Sequence, residues 1–190
     1  MTEATGGDRA YVAPVATGHE IYTARRLTVE VPGVREFQQL YEQAVPTNPA
    51  DEIVALVERG ASWVEVIDAH AELAPHGFLI YWRTDVHGVM QLANDDNDCI
   101  AYLMGNVTIA EQMFRHDPRA MLYAPLRTVI WEDAHERAWF TVEQPSTQFA
   151  SFGITAVSAV GVELDRKLAA LLEALRVEVP MALLSSTVTP

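Results

Sequence analysis

Leu126–Glu143 reads LRTVIWEDAHERAWFTVE, and this stretch decides the fold. Two runs rich in β-branched and aromatic residues, 126–132 and 138–143, flank the polar Asp133-Ala134-His135-Glu136. Two such runs joined by a short turn-forming segment predict a β-hairpin. Upstream, FLIYWRT (78–84) and CIAYLM (99–104) are nearly all β-forming, and Asn94–Asp98 between them reads as a turn. IYTARRLTVEV (21–31) alternates in part and predicts a first strand, ended by Pro32-Gly33.

Helical periodicity fills the gaps. Apolar residues at 34, 37, 40, 41 and 44 make a stripe over Val34–Val45. Asn48-Pro49 is a helix start ahead of Ile53, Val54, Leu56 and Val57, with Asn48 as the cap. Ser62 and Glu65 form a capping box before Trp63, Val64, Val66 and Ile67. A short helix is expected over Asn106–Phe114, capped either by Asn106 or by Thr108 paired with Glu111. Val157, Val160, Leu164, Leu168, Leu171 and Leu175 form a long amphipathic stripe, interleaved with Glu163, Asp165, Arg166 and Lys167. The order is strand, helices, strand, strand, short helix, strand, strand, long helix. It predicts an α+β domain, an antiparallel sheet of about five strands with helices packed on one face.

The hydrophobic share of 49% suits a real core, and 190 residues suit one domain. We expect a Gly- and Thr-rich flexible arm over 1–18, the domain over 19–180 and a loose tail over 181–190. The formal charge of −13 argues against nucleic acid and anionic membranes as partners. Cys99 is the sole cysteine, which excludes an intrachain disulfide. The start carries no apolar run of signal-peptide length, and no stretch is long enough to span a bilayer. A soluble cytoplasmic protein is expected.

Four elements resemble the bacterial domain of unknown function 302 family: HGFLIYWRTDVH, YLMGN, APLRTVIWED and the following QPS. Thr84-Asp85-Val86-His87 stands where that family has an Ile-Asp-His-like triplet. Met104-Gly105-Asn106-Val107 stands for Phe-Gly-Asn-Pro, so Val107 replaces the proline, and Val86 separates Asp85 from His87. Ala124-Pro125-Leu126 with Trp131-Glu132-Asp133, then Gln144-Pro145, complete a likeness covering roughly 50–175. The resemblance implies a TATA-binding-protein-like β-α-β(4)-α fold and a homodimer, but no activity.

Candidate chemistry comes from single residues. Asp85 and His87 end a strand, where a carboxylate two residues from an imidazole can prepare it as a general base, or can simply hold a turn. Glu111 is the nearest further acid, either catalytic or a capping partner. Asn106 is a ligand-facing amide or a helix cap. Tyr81 and Arg83 share one sheet face, with Trp82 on the other. Tyr81, Arg83, Tyr102, Asn106, Arg127 and Trp131 are the candidate ligand-binding residues. Arg127 sits in an apolar strand and is expected half-buried against a fixed acceptor, either an internal carboxylate such as Glu143 or a ligand anion.

No zinc, nucleotide or hydrolase motif occurs, and the histidines lack metal-ligand spacing; neither metal nor cofactor is expected. Two readings of function remain: a pocket for a small organic molecule with acid–base chemistry, or a non-catalytic dimeric interaction module.

Overall fold

A computed structural model describes residues 21–185 and 187. The expected arm, 1–18, lies outside them. The five strands are β1 (Arg26–Val31), β2 (Leu79–Asp85), β3 (Cys99–Gly105), β4 (Leu126–Glu132) and β5 (Ala138–Glu143). They form one sheet of order β1-β5-β4-β3-β2, antiparallel throughout. The β4–β5 hairpin lies inside it, with β4 as the central strand. Asp133 closes the turn, accepting from His135 N at 2.8 Å and Arg137 N at 3.1 Å.

One face of the sheet is the core. Leu27, Val29, Ile80, Ile100, Tyr102, Met104, Leu126, Ile130, Phe140 and Val142 belong to a single buried cluster. It includes Phe37 and Tyr41 of α1 (Val34–Ala44) and Val157, Leu164, Leu168 and Leu171 of α7 (Thr155–Ala174). The other face carries Thr28, Trp82, Ala101, Leu103, Arg127, Val129, Trp131 and Thr141, and no described element packs on it. This face corrects the reading of Arg127. Tyr102 pairs with Thr128 and Leu103 with Arg127, so Thr128 takes the core side and is fully buried. Arg127 is exposed, with no ion pair or hydrogen bond to a described residue. Glu143, its proposed partner, instead lies 4.0 Å from Arg26 and accepts from Gln148 at 2.6 Å.

Local departures have local causes. β1 begins at Arg26 and not at Ile21, because its partner strand ends at Glu143, before Gln144-Pro145. Helix α2 (Ala50–Glu58) is not capped by Asn48. That residue's backbone N–H is held by Ile80 O at 2.9 Å as the chain runs beside β2, and its side-chain oxygen is buried without a partner. Helix α3 (Trp63–Leu73) has the expected capping box of Ser62 and Glu65. The short helix α4 (His87–Met90) and the 3-10 turn after it, 91–93, carry too few residues to show a period.

Helix α5 (Val107–Phe114) leads through a 3-10 turn, 118–122, into β4. Gln144-Pro145 opens α6 (Pro145–Phe149), which packs on α7 at Gly161. A Cβ there would stand 3.0 Å from both Phe149 Cβ and Ser146 Cα. Asp165, one of the charged residues interleaved with the stripe, is fully buried: it accepts from Ser146 N at 2.9 Å and Gln144 Nε2 at 2.8 Å. Because α7 is flanked by α6 as well as the sheet, a residue off its apolar stripe is still enclosed. The expected tail also begins with structure. Helix α8 (Met181–Leu184) buries Leu183, and Ala182 O accepts from Gln144 Nε2 at 3.0 Å.

Candidate functional site

A small, half-enclosed cavity lies where β2, β3 and β4 meet α5 and α7. Its volume is about 170 Å³, and its walls are almost wholly apolar, with Ala110, Met113, Leu126 and Leu164 among them. Gly105 admits the cis-linked Ala124-Pro125 to the cavity wall, since a Cβ there would lie 3.2 Å from Pro125 Cβ and 3.3 Å from its Cα. Two polar residues, Tyr81 and Asn106, edge the space.

Both also finish the N-terminus of α5, whose first N–H groups have no intrahelical partner. Asn106 Oδ1 accepts from Thr108 N at 2.9 Å and from Thr108 Oγ1 at 2.7 Å, which settles the cap in favour of Asn106. Tyr81 sits at the register shift between Ile80 and Trp82, the unpaired residue of a β-bulge. From there its hydroxyl accepts from Val107 N at 3.2 Å. That bond uses one oxygen lone pair and leaves the phenolic hydrogen free to donate. Burial pushes the Tyr81 pKa up, so this hydrogen is retained.

The remaining candidates lie elsewhere. Asp85 and His87 are brought together, but with a residue not singled out from sequence, Arg35 of α1. Its guanidinium bonds Asp85 and grips Asp98 at 2.6 and 3.1 Å. Asp85 Oδ1 accepts from His87 N at 3.2 Å, a turn contact. His87 Nδ1 is 3.4 Å from Asp98 Oδ1, without hydrogen-bond geometry. The hydrogen bond from Arg35 holds the Asp85 pKa below the ordinary carboxylate range, and the two aspartates raise that of Arg35. An acid kept ionised by a guanidinium is a poor proton carrier. Asp85 pairs with Ile100, five residues from Gly105, so this network is about 17 Å along the strand from the cavity.

Arg83 and Tyr102 form a third group with Glu42, another residue the sequence did not flag. Arg83 Nε lies 2.9 Å and Tyr102 OH 2.8 Å from Glu42 Oε1. Burial, then the Glu42 charge, pushes the Tyr102 pKa up. Glu111 is bound to Arg115 one helical turn on and does not line the cavity. Arg127 and Trp131 stand on the open sheet face. Trp131 stacks on Trp139 at 6.4 Å and donates to Thr141 Oγ1 at 2.9 Å.

Across α5 from the cavity, a wider cleft of about 530 Å³ is edged by His70, Glu163 and Lys167. His70 is buried, its Nδ1 bonded to Val66 O at 2.8 Å, which leaves Nε2 as an acceptor without a partner. No three His, Cys, Asp or Glu side chains among the described residues gather as a metal site, and no described helix is long and apolar enough to cross a membrane.

No curated protein matches the chain significantly. The crystal structure of the uncharacterized conserved protein DUF302 from Bacillus stearothermophilus is similar, with a TM-score of 0.55 and 14% identity, covering 80% of this chain and 98% of that one. At that identity the likeness speaks for the fold. The sequence profile of the family described as "Domain of unknown function DUF302" matches residues 55–175, well over half the chain, and the protein belongs to that family.

Proposed function

We propose that the domain binds a small, ring-sized apolar molecule in the cavity beneath Tyr81 and Asn106. The observation that carries this is an apolar space of about 170 Å³ with polar groups at one edge only. An apolar void of about 150 Å³ holds a benzene-sized molecule, and a few oriented polar groups on apolar walls are the usual form of a ligand site. The Tyr81 hydrogen and the Asn106 amide would meet an oxygen or ring nitrogen on the ligand. Acid–base chemistry is not part of this reading, because Asp85 and Glu111 are paired with arginines and none of Asp85, His87 and Glu111 lines the cavity.

Thermal unfolding with toluene, indole and phenol tests it. A ligand that binds only the folded state at a hundredfold its Kd adds about 2.7 kcal/mol. Ala110→Leu, which fills the cavity, should abolish the stabilisation. If no ring-sized compound stabilises the protein, and Ala110→Leu alone raises its stability, the cavity is a packing void and the reading fails.

A second property rests on the open sheet face. Trp82 is 50% exposed, and Leu103, Val129 and Trp131 beside it are only partly covered. We infer that two copies pair there as a homodimer, since apolar aromatic patches of this kind mark interfaces and two-fold dimers are the commonest oligomer. The acidic balance supports neither nucleic acid nor an anionic membrane as partner. Light scattering should give twice the chain mass, and Val129→Lys should halve it. A monomeric mass for the unaltered protein would reject the dimer.

A further inference from the structure

Helices α2 and α3, joined by the short connection 59–62, carry more apolar surface than the domain covers. Helix α2 buries none of its residues, although it carries Ile53, Val54, Leu56 and Val57. Val54 is 52% exposed and Val57 74%, while on α3 Val64 is 64% exposed, with Trp63 and Ile67 beside it in solvent. Val54 and Val57 are spaced i,i+3, as are Val64 and Ile67, so each pair forms a ridge on its helix. Helices this short are marginal alone, and their stability comes from burying an apolar face. Ile53 and Leu56 are partly covered, which leaves the Val54–Val57 ridge as the apolar surface of α2 open to a partner.

The surrounding charge says what. Within residues 50–73 there are six carboxylates (Asp51, Glu52, Glu58, Glu65, Asp68, Glu72) against one base, Arg59, for a net −5. Arg59 is already paired, 2.7 Å from Glu65. A second copy of the same hairpin would press two acidic rims together, and like-charge juxtaposition is strongly unfavourable at an interface. We infer that the α2–α3 surface docks a basic amphipathic helix of a partner protein. The partner's apolar stripe lies on Val54, Val57, Val64 and Ile67, and its Lys and Arg side chains face the acidic rim. This is recognition of an amphipathic helix through its apolar face, with charge selecting the partner.

The test uses the full chain and a synthetic helical peptide about five turns long, with a leucine stripe and lysine elsewhere. A counterpart carries glutamate in place of lysine. Val57→Ser with Val64→Ser removes the ridge at exposed positions, and an unchanged melting temperature checks that the fold survives. The lysine peptide should bind saturably, shift backbone amides within 50–73 and weaken with salt. It should lose roughly tenfold or more in affinity against the double-serine protein, and the glutamate peptide should not bind. Equal binding to both proteins, no binding by the lysine peptide, or shifts confined to other elements would overturn the inference. So would a scattering mass that the double-serine change cuts in half, because a second copy would then occupy this surface.

Discussion

Tyr41 of α1 and Thr128 of β4 place their hydroxyls 3.1 Å apart inside the core, both fully shielded from solvent. Among the described residues the Tyr41 hydroxyl has one other hydrogen-bond partner, Met104 Sδ at 3.0 Å, a weak acceptor. Burial pushes the Tyr41 pKa well up, so the pair stays neutral. Tyr41→Phe keeps the ring and strips the hydroxyl, which leaves Thr128 Oγ1 without its partner. A net hydrogen bond is worth about 1 kcal/mol and a stranded buried hydroxyl about 1–3, so a loss of about 2 kcal/mol is expected. At this chain length that lowers the melting temperature by roughly 4–8 °C. Thr128→Val should cost less, about 1 kcal/mol, because Tyr41 can still donate to the sulfur. The double change replaces both hydroxyls with apolar groups of the same shape and should return to within about 1 kcal/mol of the parent. Urea unfolding of the four proteins closes the cycle. If the double change loses the sum of the single losses, the two hydroxyls do not depend on each other and the account of this core pair is wrong.

Other outcomes follow from single contacts. Arg127→Met should change the stability of the single chain by less than about 0.5 kcal/mol in urea unfolding, since the guanidinium has no partner within it; a loss above about 1 kcal/mol would mean a partner within the chain or in a second copy. Gly161→Val should cost about 1–3 kcal/mol by forcing α6 off α7, and unchanged stability would refute the close approach. Glu65 accepts from Ser62 N and Oγ and pairs with Arg59, which lowers its pKa from 4.5 to about 2. The folded state therefore binds this proton less readily than the unfolded chain, so the contribution is full above pH 4.5 and fades as pH falls toward 2. Urea midpoints of the parent and Glu65→Gln should converge over that window, and a gap independent of pH would contradict the assignment.

The sheet was legible because its signals are local. Alternation, turn composition and a capping box each act over a few residues, so all five strands and the main helices fall close to where the sequence places them. The face assignment was legible only in part. Alternation puts Arg127, Val129 and Trp131 on one side of β4, as found, but it cannot say which side meets the helices. Taking the arginine as the buried residue reversed the strand, and Thr128 holds the core position instead. The candidate site was harder still. Tyr81 and Asn106 meet through a β-bulge, and a bulge adds one residue without changing composition. Arg35 and Glu42 are surface-like residues of a helix, and only the tertiary fold brings them to Asp85 and to Arg83. Asp165 looked like one more polar residue on an amphipathic helix, because nothing in its neighbours announces the second layer formed by α6.

The departure at Val107 can be turned into a test of how the cavity edge is built. Where the family pattern has proline, Val107 supplies an N–H that donates to Tyr81 at 3.2 Å. Val107 is the first residue of α5, the position where proline fits best, and Asn106 before it is extended, at φ −151° and ψ 123°, as a residue preceding proline prefers. Val107→Pro therefore removes one long hydrogen bond and gains roughly 0.4–1 kcal/mol from a stiffer unfolded chain, so the net change should stay within about 1 kcal/mol. The consequence appears at Tyr81. In the parent, Tyr81→Phe strips the N–H of its partner and should cost about 1 kcal/mol. In the proline background there is no N–H to strand, and the same change should cost close to nothing. If Tyr81→Phe costs the same in both backgrounds, or Val107→Pro alone loses more than about 2 kcal/mol, then the Tyr81 hydroxyl does not serve the helix terminus as described. If the cycle closes as expected, the hydroxyl in the proline variant no longer serves the helix and faces only the cavity edge and solvent. Binding of phenol there should then be at least as tight as in the parent.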